Sequence, residues 1–166
     1  IEGPVKNLMR HTGPSMSAFN AWVMLKGLET LDLRVQRMHE NALTLARHLE
    51  GRAGVVRVLH PWLASHPQHD LAKRQMTGGF GGIISAEVKG GLAPARKMLE
   101  RTRLFTLAES LGGVESLIEH PAIMTHASVP KDIREKGGVT DSLIRLSVGV
   151  ENVEDLIADL DQALSA

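Results

Sequence analysis

The apolar pattern of this chain falls into two parts, and this division limits the fold more than any other feature. Over residues 17–50 apolar side chains recur at helical spacing. They are Trp22, Leu25, Leu28, Leu31, Val35, Met38, Ala42, Leu45 and Leu49. The pattern predicts one long helix, or two helices joined near Gly27, capped by Ser15 or Ser17 at its start and by Gly51 at its end. After residue 51, short strand patterns alternate with shorter helical ones.

These later patterns indicate how the second part of the chain folds. Apolar and β-branched residues predict strands at 55–59, 83–88, 104–108 and 143–150. Helical patterns follow Pro67 up to residue 76, cover 92–101, and resume after Asn152, which can cap a helix at its amino terminus. We therefore expect an α+β domain, with an antiparallel sheet and helices on one side of it, preceded by the long helix.

Composition and charge exclude several classes of function. The chain has 166 residues, 43% of them hydrophobic, enough to bury one core of ordinary domain size. Its 19 basic residues balance 19 acidic ones, so no excess positive charge is present to hold nucleic acid. The absence of cysteine rules out disulfides and thiolate chemistry. No apolar run has the length of a membrane span, and no signal peptide is recognisable, so we expect a soluble, cytoplasmic protein.

One charged residue interrupts the apolar strand at 143–150. A period of two places Leu143, Arg145 and Ser147 on one face of this strand. A guanidinium in an apolar strand must find an anion or several acceptors, and its planar fork suits a carboxylate. Taken alone, the strand favours a different interpretation, in which Arg145 lies on the solvated face of an edge strand.

Four segments, in order along the chain, resemble one known family. They read GPSMSAFNAWVMLKGLETLDLRVQRM at 13–38, LHPWLASHPQHDLAKRQM at 59–76, SLGGVESLIEHPAIMTHASVP at 110–130 and LIRLSVGVENVEDLIADL at 143–160. They are similar to segments of the pyridoxal-phosphate (PLP) enzymes of trans-sulfuration, which include cystathionine γ-synthase, the cystathionine lyases and O-succinylhomoserine sulfhydrylase. The first segment looks most like the sulfhydrylases, and the third looks like the γ-synthases and lyases.

The resemblance implies a fold of the aspartate-aminotransferase type and a position within it. Residues 51–166 would form the small carboxyl-terminal domain, which binds the substrate carboxylate. Residues 1–50 would form a linker and the long inter-domain helix, and the amino-terminal PLP-binding domain would lie outside this chain. The first residue is not a methionine, and Glu2, Gly3 and Pro4 are typical of a loop, so we expect residue 1 to be a cut or the first ordered position.

The same resemblance assigns roles to five residues. Arg145 would hold the α-carboxylate of the substrate, assisted by Ser110 with the adjoining backbone of Leu111, and by Thr125 in the surroundings of the arginine. Glu115 would lie near the distal polar end of a cystathionine-like or γ-substituted amino acid. A carboxylate held in this way orients the amino group for reaction. Considered alone, Ser110 and Thr125 fit turn-capping hydroxyls, and Glu115 fits a solvated loop carboxylate.

The chain also departs from the family pattern, which affects the expected chemistry. No segment resembles the family's lysine motif, so no catalytic and no cofactor-binding residue is assigned, and PLP would be bound mainly by the absent domain. The pair His66 and His69 lacks a carboxylate at ligand spacing, so no metal site is predicted. We expect part of a homotetrameric enzyme for γ-replacement or γ-elimination on homoserine esters or cystathionine, inactive as this fragment alone. The alternative is a non-catalytic domain that only associates with a full-length partner.

Overall fold

The protein is described by a computed structural model covering residues 1–13, 15–79 and 81–165. The chain divides into two compact units, Ile1–Leu33 and Arg34–Ala166. The helices are α1 (Glu2–Thr12), α2 (Ala18–Glu29), α3 (Leu31–Glu50), α4 (His69–Gln75), α5 (Leu92–Leu99), α6 (Lys131–Lys136) and α7 (Val153–Leu164). The strands are β1 (Val55–Leu59), β2 (Ile83–Val88), β3 (Thr106–Leu107), β4 (Leu117–Glu119) and β5 (Leu143–Ser147). The boundary between the units falls within α3, and the assignment of domains at residue 50 stays a prediction.

The first unit consists of helices whose side chains are not buried within it. The loop expected at residues 2–4 is instead the first turn of α1, where a proline is tolerated because the early N–H groups need no helical acceptor. Ser17 caps α2, since its Oγ accepts a hydrogen bond from the Asn20 N–H at 3.1 Å. The apolar stripe is divided into two helices, and the break lies at Thr30 rather than near Gly27. One glycine costs a helix only about 1 kcal/mol, so α2 accommodates it.

The second unit contains a five-stranded sheet in the order β1-β2-β5-β4-β3. Three of its pairings are antiparallel, namely β1 with β2, β2 with β5, and β5 with β4. The expectation of a wholly antiparallel sheet is wrong, because β3 pairs with β4 in parallel. The segment between β3 and β4 returns the chain to the starting end of β3. The two strands therefore run in the same direction, with Thr106 opposite Leu117. This connection carries Ser110, Leu111 and Glu115.

The predicted strands and helices of the second unit are found, with some differences in length. The strands at 55–59 and 83–88 have the expected bounds, whereas the strand expected at 104–108 is reduced to the two residues of β3. Asn152 caps α7, accepting from the Glu154 N–H at 2.9 Å. Strand β4 and helix α6 lie where no regular structure was predicted. Three residues in β4 are too few to show a period of two, and this hid the strand.

The core lies on one face of the sheet. Alternate residues of β2 and β5 share a buried cluster with residues of α3, α5 and α7, so these helices cover that face. The cluster includes Leu45, Leu49, Ile84, Ala86, Met98, Ile144, Leu146, Leu156 and Leu160. The opposite face carries the polar residues of the same strands. Among the described residues, no helix is both long and apolar enough to cross a bilayer.

Candidate carboxylate-binding site

Arg145 lies in the middle of the sheet, on the face that the core does not use. Its strand, β5, is bordered on both sides, with Ser85 of β2 and Glu119 of β4 directly opposite Arg145. Because cross-strand partners share a face, these residues form a polar row over three strands. The interpretation of Arg145 as a residue on a solvated edge strand is therefore wrong.

The guanidinium of Arg145 is contacted along one side and has unused hydrogen-bond donors on the other. Its Nε lies 3.0 Å from Oε1 of Glu119, and Nη2 donates to the backbone carbonyl of Glu109 at 2.8 Å. The arginine side chain is 20% exposed and the glutamate side chain 1%. Nη1, and the second hydrogen of Nη2, have no acceptor among the described residues. The outer edge of the fork can thus donate two parallel hydrogen bonds to an added carboxylate.

The loop that carries Ser110 and Leu111 is tied to the same strand. Glu109 accepts from Arg145, and the N–H of Gly112 donates to Oγ of Ser147 at 2.8 Å. Ser147 is two residues beyond Arg145, so these bonds fix both ends of a short segment over the polar face. Gly112 has φ +77°, a conformation that favours glycine. Ser110 and Leu111, both exposed, lie in the loop between these two contacts with the strand of Arg145.

Thr125 belongs to the same cluster through Glu119. Its hydroxyl lies 3.4 Å from Oε1 of Glu119, the oxygen that also pairs with Arg145, and 2.9 Å from Nδ1 of His126. Burial raises the pKa of Glu119, while the nearby charge of Arg145 and the hydroxyl of Thr125 act in the opposite direction. The structure thus brings Arg145, Thr125 and the Ser110 loop together around one buried carboxylate.

Glu115 is held farther along the connection between β3 and β4. It is exposed, and its carboxylate lies over Gly113, where an added Cβ would meet Oε1 at 2.5 Å. Its neighbour Ser116 is buried, donating from its N–H and its hydroxyl to the Glu151 carboxylate at 2.6 and 2.8 Å. This anchor fixes the loop but leaves the Glu115 carboxylate at the surface. No described hydrogen bond joins Glu115 to Arg145.

The histidine pair is engaged in local structure. Nδ1 of His66 accepts from the Gln68 N–H at 3.1 Å, and Nδ1 of His69 lies 3.0 Å from the carbonyl of Pro61. Within the described residues, no group of three or more potential metal ligands is assembled.

Sequence reasoning missed Glu119 and Ser147. Ser147 was placed on the correct face of its strand but was given no role, and its hydroxyl now accepts from the loop. Glu119 lies in β4, whose three residues are too short to predict a strand. A signal was nevertheless present, since Glu119 directly follows Leu117 and Ile118, and a charged residue beside a buried apolar pair normally needs a partner.

Comparison with known proteins identifies the family. The profile of the Cys/Met metabolism PLP-dependent enzymes matches residues 1–165. The chain belongs to this family. A cystathionine β-lyase of Coxiella burnetii is 55% identical over 160 residues, which is 96% of this chain and 41% of that protein. An O-succinylhomoserine sulfhydrylase of Mycobacterium tuberculosis is 49% identical over 99% of this chain, and a cystathionine γ-lyase of Dictyostelium discoideum is 50% identical over 96%.

The resemblance to trans-sulfuration enzymes is therefore confirmed, and it extends along almost the whole chain. The chain spans about two fifths of the length of these curated relatives, since each match covers 41% of the relative. These three members of the Cys/Met metabolism family carry names of different reactions at similar identity.

Proposed function

We propose that this chain is the carboxylate-binding part of a PLP-dependent enzyme that acts on homoserine esters or cystathionine by γ-replacement or γ-elimination. Residues 51–166 would form the small carboxyl-terminal domain, and residues 1–50 would lead into it. The complete enzyme would be a cytoplasmic homotetramer. Relatives with the names lyase and sulfhydrylase support the reaction class.

One observation carries the assignment of the site. Arg145 is fixed by Glu119 and by the Glu109 carbonyl on one side, and the outer edge of its guanidinium has no acceptor among the described residues. An arginine held in this way is preorganised for a carboxylate, because little side-chain freedom remains to be lost on binding. Ser110 and Leu111 directly follow Glu109, whose carbonyl accepts from Arg145, and the hydroxyl of Thr125 lies near the Glu119 carboxylate. Glu115, which is exposed in the same loop, would meet the distal end of the substrate.

The residues of this chain do not fit the reactive end of PLP. Every lysine is solvent-exposed, and Lys131 is paired with Asp141, which raises its pKa. An imine-forming lysine needs the opposite, a setting that favours its neutral amine. We therefore propose that PLP is held mainly by a domain outside these residues, and that this chain alone does not catalyse the reaction.

The test is a set of substitutions in the complete enzyme. Arg145→Leu removes two charge-assisted hydrogen bonds to the substrate, each worth about 1.5 to 3 kcal/mol, so catalytic efficiency should fall several hundredfold or more. Arg145→Lys should recover only part of the loss, because an ammonium cannot make the forked contact. The absorbance of bound PLP should stay unchanged in both variants.

Arg57 provides the matched control. It pairs with Glu87 across neighbouring strands, as Arg145 pairs with Glu119, but it lies on an outer strand of the sheet. Arg57→Leu should leave catalytic efficiency within about twofold, since exposed pairs contribute little. Normal efficiency in Arg145→Leu, or loss of PLP in place of substrate affinity, would show that the proposed role is wrong.

A further inference from the structure

The carboxylate of Glu119 is almost completely buried beside the site, and only one of its oxygens is engaged. Oε1 lies 3.0 Å from Nε of Arg145 and 3.4 Å from Oγ1 of Thr125. Oε2 is buried without a hydrogen-bond partner among the described residues. A buried carboxylate is costly unless it is paired, and the cation that this one contacts is Arg145.

The geometry of the pair shows what Glu119 does to Arg145. Nε is the donor nearest the main chain, and its ion pair with Oε1 of Glu119 at 3.0 Å restricts the rotation of the guanidinium plane. Nη2 is fixed separately by the Glu109 carbonyl at 2.8 Å. Two contacts at different points of a planar group determine its orientation, and the Nη1 edge is directed away from both.

We propose that Glu119 is a positioning residue, which sets the plane and the direction of Arg145 for binding the substrate carboxylate. This inference rests on the proposed function of Arg145. Glu119 would act on Arg145 through the position of its Oε1 atom and not through its negative charge. A negative charge beside Arg145 would by itself weaken the attraction for a second carboxylate.

Two conservative variants separate place from charge. Glu119→Gln keeps an oxygen at the same reach from the backbone and removes the charge. Glu119→Asp keeps the charge but withdraws the oxygens by one methylene, which takes them out of hydrogen-bonding distance of Nε. Each is made in the complete enzyme, and binding of norleucine is compared with binding of pentylamine, the same molecule without its carboxylate.

If Glu119 acts by position, Glu119→Gln should bind norleucine within about threefold of the original protein, since a neutral hydrogen bond still holds Nε. Glu119→Asp should lose affinity on the order of tenfold or more, because a misplacement near 1 Å at a binding group can cost about a hundredfold. Binding of pentylamine should change in neither variant. The loss should also appear in KM more than in kcat, because an anchoring contact made equally in ground and transition states affects binding.

The pair of Arg57 and Glu87 supplies the control. Glu87→Gln and Glu87→Asp alter the matched pair with Arg57 and should leave norleucine affinity unchanged. Equal losses for norleucine and pentylamine in Glu119→Asp would indicate a general structural role and would overturn the proposal. So would a large loss in Glu119→Gln together with normal binding in Glu119→Asp. If Arg145→Leu keeps its preference for norleucine over pentylamine, the proposed function itself fails, whatever Glu119 does.

Discussion

Two cross-strand pairs of arginine and glutamate lie on the same face of the sheet, and their surroundings differ. At the outer strand Arg57 reaches Glu87 at 2.8 Å, with side chains 50% and 16% exposed. At the centre Arg145 reaches Glu119 at 3.0 Å, with side chains 20% and 1% exposed. The contact distances are nearly equal. The two glutamates differ in solvent access when their arginine is removed, because only the Glu87 carboxylate can then be hydrated.

An arginine–glutamate pair therefore does not by itself identify the site, because both places on the sheet have one. An exposed pair contributes little to stability and can be replaced freely. A pair with one buried partner is costly to form and costly to break, so it persists where the fold or the function needs it. At the centre of the sheet, the buried glutamate holds an arginine whose outer edge is still able to bind.

Breaking each pair should give the largest difference in stability. Arg145→Leu leaves the Glu119 carboxylate buried without its cation, which should lower the free energy of unfolding by about 3 kcal/mol at neutral pH. Arg57→Leu should lower it by less than about 1 kcal/mol. Urea denaturation of both variants measures this directly. Equal losses would show that the two pairs are equivalent.

A third carboxylate can be compared with Glu119, because it is buried and both of its oxygens accept hydrogen bonds. Asp159 of α7 is 5% exposed and accepts from the backbone N–H groups of Arg103, Leu104 and Phe105 at 2.8, 2.8 and 3.1 Å. Asp159→Ala leaves these N–H groups without an acceptor and should lower the free energy of unfolding by about 2 to 3 kcal/mol. Norleucine affinity should not change, since no described contact joins Asp159 to the site. A stable variant with weakened binding would contradict this division of roles.

The two buried carboxylates should also respond to pH in opposite ways. Burial alone would raise the pKa of Asp159, but its backbone hydrogen bonds outweigh that effect and hold the pKa below the usual 3.8. Its contribution to stability is therefore present above pH 3.8 and is lost as the pH falls further. For Glu119 burial raises the pKa above 4.5, so its contribution is full below pH 4.5 and is lost as the pH rises through the folded-state pKa.

Denaturation measured from pH 3 to 8 tests whether Asp159 and Glu119 change the free energy of unfolding with pH in these opposite directions. Relative to the original protein, Glu119→Gln should become more stable as the pH rises above 4.5, because it carries no buried charge. Asp159→Asn should lose its deficit as the pH falls below 3.8. Parallel pH profiles for the two variants would indicate that the carboxylates do not differ in this way.

The smallest effects are expected from the two hydroxyls. Ser110→Ala and Thr125→Ala should each weaken norleucine binding by about 1 kcal/mol, or roughly fivefold, since each loses a single secondary hydrogen bond. Calorimetric titration of the complete enzyme measures both. A loss from either variant as large as that from Arg145→Leu would mean that the arginine is not the principal contact.

Much of this fold could be predicted from the sequence, because its periods are regular. The stripe on α3, the alternation in β2 and the cap of α7 at Asn152 are local patterns with local causes. The parallel pairing of β3 with β4 could not be predicted, since it depends on how the connection between them returns. Local spacing shows Arg145 as an exception in its strand, whereas its pairing with Glu119 depends on the same return of the chain and could not be predicted.

The resemblance supplied the roles that local patterns could not. Ser110 and Thr125 are ordinary loop residues by spacing. In the fold, Ser110 follows the Glu109 carbonyl that accepts from Arg145, and Thr125 lies near the Glu119 carboxylate. Their roles, and that of Glu115, stay predictions until binding is measured.

The central claim is that Arg145 binds the substrate carboxylate, and it can be tested by removing the arginine and the carboxylate in turn. The background is Glu119→Gln, so that no buried charge is left unpaired when Arg145→Leu is added. Calorimetry then compares norleucine and pentylamine on Glu119→Gln and on the double variant. We expect a preference for norleucine of several hundredfold in Glu119→Gln, from two charge-assisted bonds of about 1.5 to 3 kcal/mol each, and almost none in the double variant. An unchanged preference in the double variant would contradict it.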